Sequence, residues 1–276
     1  MARRATLIRQ ARARTKGALL VVDAGDVFTR GPWHRVWYGA PEIAAMNLMG
    51  YDLLCVGNNE FKATPDVTAQ EKMRTLVGSS RFPWVAANLT VAATGKPVPG
   101  IKPFVVRTFG KMRVGLLGLI STAAAGYPQI AGWQVGDPVE AARRWVPIVR
   151  KQCDVLIAVV HLGHAEECRL AEQVAGIDVV VGGHSHTFTP QPAWVRNPKG
   201  VAVPVVQGGE QGVVLGKLAL TFEYAKGWRL KAAREDLVPV TEAVAQEAGV
   251  KKMLAKYGIP DPKSQIQEGR GAEGTK

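Results

Sequence analysis

The chain has 276 residues, 47% hydrophobic and 21% charged, a composition that excludes disordered and low-complexity classes and suits one large domain with at most a short appendage. Thirty-five Lys and Arg against 23 Asp and Glu give a formal net charge of +12, which favours anionic partners: nucleic acid, a membrane surface or phosphorylated substrates. Three cysteines (Cys55, Cys153 and Cys168) with no C-x-x-C argue against a disulfide framework or a zinc knuckle, and apolar runs such as Val155 to Val160 fall far short of a membrane span of ~20 residues.

Ala2 to Thr15 reads as a helix, with Ala5, Leu7, Ile8 and Ala11 at helical spacing and arginines on the other faces. Its basic residues are Arg3, Arg4, Arg9, Arg12, Arg14 and Lys16, and the first acidic residue is Asp23. Three readings compete: a nucleic-acid arm, an organelle-targeting helix without its usual serines, and an ordinary helix with a solvated basic face. No apolar h-region follows the basic start, so no signal peptide is visible in this chain.

Ala18 to Val22 is a short apolar run of the kind buried on both faces of a parallel sheet. Val36 to Met49 reads as one helix ended by Gly50, and Leu53 to Val56 as a strand. Asp66 to Val77 is helical and Trp84 to Ala86 is a short strand. Val105 to Arg107 and Arg113 to Ile120 form a hairpin around Phe109, Gly110 and Lys111. Asp137 to Lys151 is a capped helix with Pro in its first turn. Asp154 to Val160 and Asp178 to Val181 are strands flanking a helix over Ala165 to Ala175. Val203 to Gln207 and Leu215 to Glu223 follow as consecutive strands, so an antiparallel portion is expected from about Val201. Val240 to Lys256 reads as one helix, and the end from Gly258 is polar and unstructured. Short apolar strands alternating with helices predict an α/β fold with parallel pairing in its first part.

Polar groups stand directly after four of these strands: Asp23 and Asp26, then Asn58, Asn59 and Glu60, then His161 and His164, then His184 and His186. In open α/β sheets ligands bind at the carboxyl ends of strands. Carboxylates, an amide and imidazoles delivered to one crevice suit a divalent metal, and an Asp oxygen can bridge two ions. Singly, each signal is weak: H-x-H in a glycine loop is more often incidental, and Asp is a common turn former. His34 has no partner motif and reads as surface or aromatic packing. The four signals gain weight by occupying equivalent strand ends.

The blocks D-A-G-D (23–26), G-N-N-E-F (57–61), A-N-L (87–89), V-G-L-L-G-L (114–119), H-L-G-H (161–164), G-I-D-V-V-V-G-G-H-S-H-T (176–187) and Q-G-G-E-Q-G-V-V-L-G-K-L (207–218) closely resemble the 5′-nucleotidase branch of the calcineurin-like metallophosphoesterases. The similarity runs from about residue 2 to 224. It implies a four-layer αββα sandwich with mixed sheets, a metallophosphoesterase domain over residues 1–239, and a C-terminal helix and polar tail over 240–276. It also implies two divalent metal ions (manganese, zinc or iron). Carried over by position, Asp26 bridges the ions, Asn58, His161 and His184 bind the second, and His186 binds the first. Asp23, Glu60 and His164 stand behind these ligands. A metal-bound hydroxide attacks a phosphoryl group of a small phosphorylated substrate, with nucleotides the leading class.

Three departures accompany the resemblance. The family opens on a strand ending in D-x-H, which this chain lacks; its start resembles the helix that follows that strand. The expectation is therefore an N-terminally incomplete domain with an incomplete first metal site. The family's G-N-H-E reads G-N-N-E here, placing Asn59 where a catalytic imidazole is expected. The expectation is also of a chain without the long C-terminal domain that holds the nucleoside in many relatives, so the resemblance carries no base specificity. Two alternatives stay open: a non-catalytic metal- or phosphate-binding module, and a thiosulfohydrolase-like hydrolase on the same scaffold. As the family's first helix, the basic N-terminal segment packs on the sheet, and specific nucleic-acid binding is not expected. Many relatives are periplasmic or secreted.

Overall fold

The structure, a computed structural model, describes residues 1–28, 32–62, 69–127 and 130–258. In chain order the elements are α1 (Ala2–Arg14), β1 (Val22–Asp23), α2 (Pro32–Trp37), α3 (Ala40–Met49), β2 (Leu53–Cys55), α4 (Ala69–Ser79), β3 (Trp84–Val85), β4 (Leu89–Val91), β5 (Ile101–Lys102), β6 (Phe104–Phe109) and β7 (Met112–Ile120). Then come β8 (Trp133–Val135), α5 (Pro138–Arg150), β9 (Val155–His161), α6 (His164–Gln173), β10 (Val179–Gly182), β11 (Ala193–Arg196), β12 (Ala202–Gln207), β13 (Val214–Tyr224), β14 (Trp228–Pro239) and α7 (Ala248–Leu254).

Two sheets stack face to face. The first runs β1-β2-β3-β5 and is parallel throughout. The second runs β11-β12-β10-β9-β7-β6, with a parallel centre and antiparallel edges. The two-residue period of the strands decides the layers. Leu53 and Cys55 of β2 face Val155 and Val159 of β9 between the sheets. Leu54 and Val56 point the other way, into a core shared with α1 and α3. Leu156, Ala158 and Val160 likewise point outward, against residues of α5 and α6. The layer order is helices, sheet, sheet, helices, the expected αββα arrangement. Strands buried on both faces read as continuous apolar runs, which is why the sequence shows them so plainly.

The basic first helix is part of this fold. Ala2, Ala5, Thr6 and Ile8 are buried on α1, while Arg9 pairs with Glu247 and Arg12 with Asp52. The Asp137 side chain accepts from the Glu140 amide at 2.8 Å and caps α5, with Pro138 in the first turn, as its sequence predicts.

Three expectations need correction and a fourth holds in part. The apolar run from Ala18 pairs as a strand only at Val22 and Asp23; at Val21 the N–H goes to the Asp52 side chain while the carbonyl accepts from the Asp52 amide. Val36 to Met49 is two helices: Tyr38 and Gly39 both have positive φ and break the ladder between α2 and α3. The antiparallel portion expected from about Val201 is present where β12 pairs with β11 and β13 with β14, while β12 also pairs parallel with β10. Val240 to Lys256 is helical only over Ala248–Leu254; Glu247 caps that helix through its side chain and donates its amide to Ala2 O. The start of the helix expected from Asp66 and the tail beyond Gly258 lie outside the described residues.

Candidate metal centre

The carboxyl ends of β1 and β2 in the first sheet meet those of β9 and β10 in the second. Each delivers a polar side chain to the same point. Asp26 follows β1, Asn58 follows β2, His161 ends β9, and His184 follows β10. Ligand atoms of Asp26, His161 and His184 lie within 4.8 Å of one another.

The donor set is defined atom by atom. His161 Nδ1 lies 2.8 Å from Ala24 O. A carbonyl only accepts, so Nδ1 carries the proton and Nε2 faces the cluster. Nε2 is 3.2 Å from Asp26 Oδ2 and 3.1 Å from Asn58 Oδ1. His184 Nδ1 is 2.9 Å from Asn58 Oδ1 and 3.2 Å from His161 Nε2. Asn58 Nδ2 donates to the Tyr127 hydroxyl at 3.0 Å, which turns the amide oxygen toward the imidazoles. Two oxygens without protons and two ring nitrogens thus converge on one point. Such a set is stable only around a positive centre, a proton or a cation, and imidazole with oxygen donors fits divalent zinc, manganese or iron.

Backbone strain gathers here as well. Asp26, His184 and His186 all have positive φ, at 60, 82 and 58 degrees, a conformation that costs non-glycine residues of order 1–3 kcal/mol each. Two glycines are required by close approach. A Cβ on Gly57 would lie 2.4 Å from the Asp26 amide nitrogen, and one on Gly182 would lie 2.0 Å from the Glu167 carboxyl carbon.

Two buried carboxylates hold the loops. Glu60 accepts from the amides of Asp26, Val27, Phe28 and Gly57 at 2.9, 2.8, 3.4 and 2.6 Å. Glu167 accepts from Gly183 N at 3.0 Å and from Gln207 Nε2 at 2.8 Å, and the same Gln207 amide donates to Gly183 O. Burial raises both, to about 7 in each case. Asp26 differs: burial would raise it, but the His161 bond and charge outweigh burial and hold its carboxyl below the usual value. His161 is raised in turn, with Asp26 overcoming desolvation. Burial, then the neighbouring His161 charge, lowers His184.

The other anticipated residues occupy different places. Asn59 lies beside the cluster; its amide nitrogen donates to Asp26 Oδ1 at 2.6 Å. His186 stays out of it: its Nδ1 pairs with Glu210 at 2.8 Å on the exposed surface. Asp23 is spent on the turn, accepting from Gly25 N at 3.1 Å. His164 starts α6, 3.9 Å from Glu167. His34 is buried and stacks on Phe28. Sequence reading missed Tyr127, Lys62, Glu167 and Gln207. Lys62 donates to Asn59 Oδ1. Lys62 directly follows the G-N-N-E-F block and Gln207 opens the Q-G-G-E-Q-G block; nothing local marks Tyr127 or Glu167.

Known proteins resemble this chain over most of its length. The family model described as Calcineurin-like phosphoesterase matches residues 1–188. The "Trifunctional nucleotide phosphoesterase protein YfkN" of Bacillus subtilis is 28% identical over 288 residues, covering 93% of this chain and 19% of that protein. The "Snake venom 5'-nucleotidase" of Naja atra is 30% identical over 276 residues, covering 94% and 51%. Among solved structures, a 5'-nucleotidase precursor from Thermus thermophilus superposes with a TM-score of 0.82 at 29% identity, covering 97% of this chain and 53% of that one. The chain therefore spans about half, or less, of the length of these relatives.

Proposed function

The chain belongs to the calcineurin-like phosphoesterase family, and from that premise we propose that it hydrolyses phosphate esters, with nucleotides the leading substrate class. The observation that carries the reading is the convergence of Asp26 Oδ2, Asn58 Oδ1, His161 Nε2 and His184 Nδ1 at the strand ends of both sheets. Relatives named 5'-nucleotidase and nucleotide phosphoesterase support the nucleotide class. Because those proteins are longer, base specificity is not carried over.

The family uses divalent metals, and Asp26, Asn58, His161 and His184 would hold such an ion here. Bound there, it would supply Lewis-acid polarisation of a phosphoryl oxygen and lower the pKa of a water enough to furnish the nucleophile near neutral pH. The chain's own residues prepare the place. Glu60 holds the Asp26 turn through four amides. Asn59 N occupies Asp26 Oδ1, which leaves Oδ2 for the centre. Ala24 O sets the His161 tautomer. Glu167 and Gln207 clamp the glycine loop that carries His184.

The test is direct. Purified protein supplied with manganese, zinc or iron(II) is assayed on nitrophenyl phosphates and a nucleotide panel. Metal-stimulated turnover that His184→Ala abolishes is the expected result. No turnover on any substrate with any metal overturns the reading. A second reading, binding of metal or phosphate without turnover, is favoured by one observation: His186 is paired with Glu210 outside the cluster. Calorimetric binding of manganese or phosphate with no hydrolysis would establish it instead.

A further inference from the structure

We propose that Lys62 and Asn59 act as one unit, an amide braced by an ammonium, that binds a terminal phosphoryl oxygen beside the metal centre. The proposal rests on the phosphoesterase reading and names a residue, Lys62, that the family motif does not supply.

Lys62 follows the 3-10 turn Asn59–Phe61, and its Nζ donates to Asn59 Oδ1. Asn58 Nδ2 approaches the same atom at 3.4 Å. Two donors aimed at one atom identify it as the oxygen of the Asn59 amide. Asn59 Nδ2 is then turned away from both. It has no acceptor among the described residues, and it is not among the buried polar atoms left without a partner, so it reaches solvent. The Asn59 backbone is fixed independently, since its N–H donates to Asp26 Oδ1. The result is a solvent-reaching N–H donor on a residue whose backbone amide touches the ligand Asp26.

The charge around it favours an anion. Lys72 is buried, donates to the Lys62 carbonyl, and sits 4.9 Å over the Phe28 ring. Two ammonium groups therefore flank the turn. Of the carboxylates beside the turn, Glu60 is saturated by backbone amides and Asp26 turns Oδ1 to the Asn59 N–H. Hydrogen bonds to charged groups polarise the amide, and an ammonium on its oxygen makes the N–H a better donor. A phosphate oxygen accepts and never donates, so it fits. Lys62 is a positioning residue in this arrangement, and Asn59 touches the ligand.

Inorganic phosphate is the probe, with binding measured by calorimetry on the manganese-supplied full chain. Lys62→Met is expected to weaken phosphate about tenfold or more, the scale of a lost charged hydrogen bond, while Lys62→Arg stays within about threefold of the parent. Asn59→Leu is expected to weaken it similarly, and the double variant no further than the worse single one. Manganese binding and the unfolding midpoint should stay with the parent in Lys62→Met, which a merely structural lysine would not allow. For nitrophenyl phosphate the loss should fall on KM rather than kcat. Unchanged phosphate affinity in Lys62→Met, a Lys62→Arg variant as weak as Lys62→Met, additive singles, or no phosphate binding by the parent each overturns the proposal. If the parent binds phosphate through Lys62 but hydrolyses nothing, the phosphoesterase reading fails and this one stands. If it hydrolyses esters with Lys62→Met unaffected, the reverse holds.

Discussion

His161 Nδ1 donates to the carbonyl oxygen of Ala24 across a 2.8 Å contact, which commits the other ring nitrogen to the cluster. The two amide substitutions at this position are therefore not equivalent. Asparagine places its polar atoms near the Nδ1 position and keeps the Ala24 bond; glutamine reaches the Nε2 position. His161→Asn should lose affinity for manganese or zinc by on the order of 100-fold, the upper end of what removing even an outer partner of a ligand costs. His161→Gln should lose less. Calorimetric titration orders the two, and equal losses would remove the tautomer argument.

Tyr127 acts on the same centre from outside it. Its hydroxyl takes the Asn58 amide proton at 3.0 Å and so points Asn58 Oδ1 at both histidines. Tyr127→Phe leaves that amide held only by its longer, 3.4 Å approach to Asn59 Oδ1. Metal affinity should fall about tenfold, within the range for outer-shell partners, with little change in the urea midpoint. A variant that binds metal like the parent would show that Asn58 is held by other means.

Glu60 predicts an unusual result for a conservative change. Its Oε1 serves the amides of Val27 and Phe28, and its Oε2 those of Asp26 and Gly57. A glutamine must turn its NH2 toward one of these pairs, setting donor against donor. Glu60→Gln should cost about 2–4 kcal/mol of stability, nearly as much as Glu60→Ala, because buried amides are left unsatisfied in both. Urea unfolding of the two variants decides; a Gln variant close to the parent would contradict it.

Asn59 can donate a hydrogen bond but cannot give up a proton to a leaving group, and a general acid typically contributes ~10²–10⁴ in rate. Nitrophenyl esters, whose leaving groups need no acid, should therefore be turned over faster than nucleoside monophosphates. Asn59→His should raise the slow substrates by at least about tenfold and leave the fast ones nearly unchanged. Equal effects on both classes would show that departure of the leaving group does not limit the rate.

Much of this centre was readable from the chain because strands ending in a crevice announce themselves twice, as an apolar run and as the polar residues behind it. Asp26, Asn58, His161 and His184 each follow such a run. Tyr127 carries no such mark. It lies beyond the 3-10 turn Thr122–Gly126, and only the tertiary fold brings it to Asn58. His186 shares the glycine loop with His184, yet Glu210 captures it, a choice that H-x-H spacing does not encode. Strand β14 escaped for a different reason. Arg229, Lys231, Arg234, Glu235 and Asp236 break up its apolar positions, and its order comes from pairing with β13. The α2–α3 break turns on the backbone conformation of Tyr38, which helical periodicity does not reveal.

That hairpin also ties a titrating group to the loop behind the centre. Thr189 Oγ1 accepts from Gln207 N at 2.7 Å and lies 2.9 Å from Gln207 O and 2.8 Å from Glu235 Oε2. One hydroxyl hydrogen cannot serve both oxygens. A neutral Glu235 resolves the conflict by donating to Thr189 Oγ1, and burial accordingly raises this carboxyl to about 7. The folded state thus holds the proton more tightly than the unfolded chain, whose value is 4.5. The sign follows from linkage: stability from this group is full below the unfolded value, falls as pH rises toward about 7, and is flat above it. Glu235→Gln keeps a neutral donor at every pH. It should match the parent near pH 5 and exceed it near pH 8 in urea unfolding, because only the parent must bury a charge there. A stability difference that is the same at both pH values would show that Glu235 does not titrate in this window.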